Sequence, residues 1–340
     1  MKFRQYSVIL IFCGLIVGVS IYSLMGNFIE SDSGGAPLVG SIEKIEDDES
    51  FFKIVDYYIV KNGLPFLKLE SSELAFSKQN TVVIGFNPVG VIHRHNDVGV
   101  EIDPIYFKSQ NSRVLKANKE LDLKNNVEIK MANSEISSDN VRILNNGREI
   151  RATGSVRTKS LDPKSNDQIL ITSEKVTFLP AQELYDYQVN VKGVIERKRK
   201  YEDSVTFTTD NVTFSALLSL VEMQGNVTFK KGNLDASSNR GSIFLENYNK
   251  SLKYYSLSDD VKLQESLLLG EKPIVRKAFA EKLEGLTSEK KIILTGLPKV
   301  FQGKDVIKGN RIIIRENIET VEVDDAITNI TLEREEKSKE

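Results

Sequence analysis

Residues 204–229, SVTFTTDNVTFSALLSLVEMQGNVTF, read as two strands joined by a turn. In the second strand Val221, Met223, Gly225, Val227 and Phe229 share one parity, while Glu222, Gln224, Asn226 and Thr228 take the other. Period two with one apolar side is the pattern of a strand with one wet face.

Versions of this pair recur. A small or turn-prone pair precedes an apolar residue in NNVEI (125–129), TGSV (153–156), KGVI (192–195), QGNVTF (224–229), DDVKL (259–263) and TGLPKV (295–300). With Val127, Val156, Ile195, Val227, Val261 and Val300 as markers, the intervals are 29, 39, 32, 34 and 39 residues. The strands between them carry a short polar break, as in SEKVTF (173–178), VTFTTDNVTF (205–214), LDASSNRGSIFL (234–245) and VIKGNRIII (306–314). One such unit cannot enclose a core, so its neighbours must stack on it.

The composition agrees. The chain has 340 residues, 40% apolar and 28% charged, with a net charge of −2, which argues against a disordered tail and against a nucleic-acid binder. Thr, Val and Ile dominate the repeats and favour strands. The single cysteine, Cys13, excludes an intrachain disulfide and a thiol-rich metal site. Phe12 before it does not fit a lipid-attachment signal.

Residues 1–6 are expected to be a cytoplasmic stub, and residues 7–25, SVILIFCGLIVGVSIYSLM, a retained transmembrane helix. This stretch is uncharged and would rise about 28 Å as a helix. Lys2 and Arg4 before it, with Glu30 and Asp32 after it, place the N-terminus in the cytoplasm and the bulk outside. A cleaved signal peptide is the alternative, but the apolar run is long for one and no small-x-small site follows. Residues 26–50, with Gly34, Gly35, Pro37 and Gly40, read as a flexible tether, and residues 331–340 as a disordered tail. Arg197–Lys200 is a dense basic run, read as a solvated loop or as a contact for phosphate groups or an acidic partner.

An anchor, a Gly/Pro tether, strands containing LKLESSELAF and KNNVEIK, and then GNV-type repeats resemble the LptC family of lipopolysaccharide-export proteins over residues 51–197. Residues 198–330, with MQGNVTFKKGNLDASSNRGSIFL and FQGKDVIKGNRIIIREN, are similar to the LptA/OstA family of periplasmic bridge proteins. The chain is longer than the LptC type, so the resemblance implies an anchored protein extended by bridge-type repeats.

The fold so implied is all-β: an extended β-jellyroll, or β-taco, of stacked antiparallel strands behind a single N-terminal transmembrane helix. Roughly sixteen strands about 4.8 Å apart would reach about 75 Å. The implied function is to receive lipopolysaccharide from an inner-membrane ABC transporter of the LptB/LptF/LptG type. The lipid would then pass along an apolar trough to an LptA-like or LptD-like jellyroll joined by strand addition at the C-terminal edge. The implied location is the bacterial inner membrane, single-pass, with the bulk in the periplasm.

Leaving acyl chains in water costs about 0.8 kcal/mol per methylene, so a carrier needs a continuous apolar lining. The repeat parity offers Val127, Ile129, Val156, Ile195, Phe214, Val221, Met223, Val227, Phe229, Ile243, Leu245, Val261 and Leu263 for contact with the lipid A chains. The same residues would equally build a filled core, in which case the protein is an anchored structural or adhesive β-repeat protein without lipid. No nucleophile, phosphate loop or paired-carboxylate motif points to an enzyme, and no cofactor is expected. His93 and His95 share one strand face but lack a third histidine or a clear carboxylate for a metal.

Overall fold

The computed structural model describes residues 48–329, apart from residue 62 and 78–80, 96–98, 117–119, 162–167, 198–202, 247–251, 270–271, 317–320 and 326. The expected membrane helix, tether and tail therefore lie outside the described residues, save for the last few tether positions. Among the described residues no helix is long and apolar enough to cross a membrane.

Chain order is stacking order, and every pairing is antiparallel. β1 (Asp48–Lys61) pairs with β2 (Leu64–Ser77). The next two levels are each split, into β3 (Val82–Phe86) with β4 (Val89–His95) and β5 (Glu101–Lys108) with β6 (Asn111–Leu115). Unbroken strands follow: β7 (Glu120–Lys130), β8 (Ser134–Leu144), β9 (Glu149–Leu161), β10 (Gln168–Leu179), β11 (Leu184–Glu196), β12 (Val205–Ser215), β13 (Leu220–Lys231), β14 (Leu234–Leu245), β15 (Leu252–Leu269) and β16 (Lys272–Leu286). Two more split levels, β17 (Lys291–Thr295) with β18 (Lys299–Gln302) and β19 (Asp305–Lys308) with β20 (Arg311–Arg315), lead to β21 (Val321–Asp324) and β22 (Ile327–Asn329). At about 4.8 Å per level, these levels stack to roughly 77 Å. Pairing runs unbroken from β11 to β12 across residue 198, and residues 45–340 form one compact unit.

Every long strand is bent at its middle, which turns the sheet into two facing arms. On alternate strands the bend is a pair of residues with positive φ: Asn125–Asn126, Gly154–Ser155, Val189–Asn190, Gly225–Asn226, Asp259–Asp260 and Gly296–Leu297. These pairs are 29, 35, 36, 34 and 37 residues apart, and at the five in unbroken strands the ladder register shifts. Asn, Asp and Gly tolerate the left-handed region and so supply the bend cheaply.

On the intervening strands a buried hydroxyl stitches the corner. Ser138, Ser173, Thr209 and Ser238 each donate to the carbonyl two residues on, at 3.1, 2.9, 3.4 and 2.7 Å. An acid follows on the outside of three of these corners: Asn190 Nδ2 donates to Glu174 Oε1 (2.6 Å) and Asn226 Nδ2 to Asp210 Oδ2 (2.9 Å). At Gly154 a Cβ would lie 2.5 Å from Asp139 Oδ2, so the acid closes against bare backbone.

Val189 is the one β-branched residue in these pairs, and at φ 67° it is strained by about 1–2 kcal/mol. It is also partly exposed, so little packing is lost on replacing it. Val189→Asn is therefore expected to raise stability by about 1 kcal/mol, seen as a higher urea midpoint with an unchanged slope. A lowered midpoint would show that the Val189 side chain packs better than its conformation costs.

Candidate functional site: the interior and its seam

Alternation places one side of every rung inside. In β13 the buried set is Val221, Met223, Val227, Phe229 and Lys231, so parity survives the two-residue bend. All thirteen trough candidates are buried, none more than 4% exposed, within one apolar cluster that runs from Leu67 to Ile314.

Aromatic rings thicken this interior in two places. Phe178 stacks on Tyr185 at 4.1 Å, with Tyr187 and Phe214 at 6.0 and 5.7 Å from Tyr185, while Phe229 stacks on Tyr255 at 4.6 Å. Two rings lie flat on glycines of the next strand. Phe207 covers Gly193 and Tyr255 covers Gly285, each ring 2.0 Å from where a Cβ would stand.

The arm tips meet at a seam. Between β4 and β12 a cavity of about 260 Å³ opens there, many times the roughly 10–15 Å³ one water needs. Ile169, Ile195 and Leu161 line it from one arm, and Phe178, Tyr185 and Phe214 from the other. Two trough candidates, Ile195 and Phe214, thus reach open space. Ser134 Oγ and Tyr185 Oη are 2.9 Å apart and join the arms across it. Burial pushes the Tyr185 phenol up to about 12, so it stays neutral at physiological pH. Leu217 and Leu218, 68% and 65% exposed, continue the tip of β12 outward next to Ala216 on the rim.

Further along, charges occupy the inside. Lys231 Nζ donates to Glu316 Oε2 at 2.6 Å, and Tyr255 Oη donates to Glu316 Oε1 at 3.2 Å. Lys231 ends β13 in one arm and Glu316 follows β20 in the other, so this buried pair fastens the seam. Behind it Arg276 Nη1 donates to Glu265 Oε2 (2.9 Å) and Arg276 Nε to Gln302 Oε1 (3.0 Å), with both charged side chains fully inside. None of these charged residues was among the trough candidates.

Two other sequence readings meet the structure here. Arg197 is buried just after β11, its backbone N–H donating to Ser204 Oγ (3.2 Å), because Arg197 has the parity of Ile195; a solvated loop position is thereby corrected, and residues 198–200 lie outside the described residues. His93 Nδ1 pairs with Glu101 Oε1 at 2.6 Å. Among the described residues no cluster of three His, Cys, Asp or Glu side chains could hold a metal.

Fold and interior together define a class of protein: an all-β open jellyroll of bent strands with an apolar inside and a seam that is open in one stretch and pinned in another. A family model described as LptA/(LptD N-terminal domain) LPS transport protein matches residues 206–320, from β12 through β20. Among solved structures, LptH of Pseudomonas aeruginosa, described as the LptA homologous periplasmic component of the lipopolysaccharide transport device, aligns with 38% of this chain and 95% of its own at 12% identity and a TM-score of 0.35. No curated protein matches the chain.

Proposed function

We propose that the protein is a membrane-anchored component of lipopolysaccharide export, LptC-like over residues 51–197 and continued by bridge-type rungs to residue 330. The observation that carries this reading is the family match at 206–320, on rungs whose inner face is apolar along the stack. The acyl chains would enter between the arms and the sugar head would stay in water at the seam. That division follows from the cost of wetting methylenes and of burying sugar hydroxyls.

The two ends of the stack support different partners. β1 is an edge strand of 14 residues with Phe51, Phe52, Ile54, Tyr58 and Val60 exposed. A long apolar edge is a surface for another protein, and we assign it to the inner-membrane ABC transporter, next to the anchor. The other edge is made by the short β21 and β22, which would take a further jellyroll by strand addition. On this reading the anchor, residues 7–25, holds the protein in the inner membrane with its bulk in the periplasm.

A second reading, an anchored β-repeat protein with a filled core, is favoured by the tight burial of all thirteen candidates and by the charges inside the last rungs. Photo-crosslinking from the seam in native membranes separates the two: a conduit gives acyl-lipid adducts there and a filled core gives none.

A further inference from the structure

Arg94 is partly buried near the end of β4. It follows Ile92 by two residues in β4, and its side chain lies beneath the 3-10 turn at Asn145–Gly147, where a Cβ on Gly147 would be 4.0 Å from Arg94 Cγ. It also lines the rim of the seam cavity, with Asp103 beside it and Glu183 on the opposite arm. No ion pair within 4.0 Å and no side-chain hydrogen bond joins Arg94 to another described residue, unlike Lys231 and Arg276 further along. Burial lowers its pKa, and Asp103 is the one charge that acts against this.

A partly buried guanidinium is costly without a counter-charge, and its planar fork suits the two oxygens of a phosphate. The apolar walls behind it suit a hydrocarbon tail, in the usual division of a ligand site between apolar lining and a few placed polar groups. The carboxylates on the same rim would repel a bare anion but attract an ammonium.

We propose that the seam cavity is a binding site for a single-tailed phospholipid with a zwitterionic, phosphoethanolamine-type head, its phosphate on Arg94 and its ammonium on Asp103 and Glu183. This rests on the reading that the cavity admits an acyl chain.

The chain contains no tryptophan, so Phe214→Trp on the cavity wall supplies a single emission reporter in the full chain held in nanodiscs. Lysophosphatidylethanolamine, lysophosphatidylglycerol and monoacylglycerol of one tail length are titrated against it. The first should bind about tenfold or more tighter than monoacylglycerol, as expected for hydrogen bonds to a charged group. Arg94→Gln should erase that difference while leaving monoacylglycerol binding unchanged. Asp103→Asn should remove the preference for the ethanolamine over the glycerol head. Equal binding of all three, or a preference that survives Arg94→Gln, would overturn the head-group site while leaving the tail site intact. Failure of every amphiphile to shift the emission would overturn the acyl-chain reading as well.

Discussion

Arg276→Met is expected to destabilise the full chain by about 3–5 kcal/mol, because it removes the opposite charge 2.9 Å from the Glu265 carboxylate inside the sheet. The Glu265→Leu single variant should cost a similar amount, since it removes the carboxylate that balances a fully buried guanidinium. Replacing both, Glu265→Leu with Arg276→Met, should recover most of the loss, because two apolar side chains facing each other across β15 and β16 need no desolvated charge. A urea titration of the three variants gives the coupling energy directly. A double variant as unstable as the sum of the singles would mean that the pair is not the reason these charges are tolerated inside.

Phe229→Ala should cost about 3–5 kcal/mol, the usual penalty for emptying a large buried site. Phe229 is 1% exposed and stacked on Tyr255, whose ring is itself held against the backbone of Gly285 and by its hydrogen bond to Glu316, which limits its movement into the hole. Glu222→Ala, on the outer face of the same strand, should change stability by no more than about 0.5 kcal/mol. The contrast also bears on how the trough is tested. A charge at Val227 or Phe229 would unfold the rungs before it blocked a lipid, so loss of export in such a variant would not report on passage.

The inner face was legible from alternation alone. Val221, Met223, Val227 and Phe229 share parity in the sequence and burial in the structure, and the same holds for Ile243 with Leu245 and for Val261 with Leu263. The bends were half legible. Val127, Val156, Val227 and Val261 each stand directly after a positive-φ pair, but Ile195 and Val300 do not; Val191 and Pro298 occupy those places. The error at KGVI came from Gly193, which looks like a turn residue but is bare to make room for Phe207. The true bend there, Val189–Asn190, hides behind a valine that local preference would never put in the left-handed region.

The hydroxyl-acid stitch was written in the polar breaks SSDNV, TSEKV and TTDNV, with SSNRG keeping the hydroxyl alone, and its role appears only when the partner strand is in place. The interior charges carry a signal of their own in the sequence. Lys231 and Glu265 fall on the apolar parity of Phe229 and Leu263 and are buried, as the partly buried Arg94 falls on that of Ile92, and a charge taken out of water demands a partner or a ligand. Which of the two it has depends on contacts between distant strands, as at Lys231 and Glu316, and no local pattern encodes those.

The claim that an acyl chain enters between the arms is tested most directly by placing a benzophenone amino acid at Tyr185 or Phe214, and at the outward Lys192 or Glu222 as controls, followed by irradiation in native membranes and mass spectrometry of the adducts. Acyl-lipid adducts are expected at Tyr185 and Phe214 and none at Lys192 and Glu222. Absence of lipid from the two seam positions in folded protein, or equal labelling at all four, would contradict it.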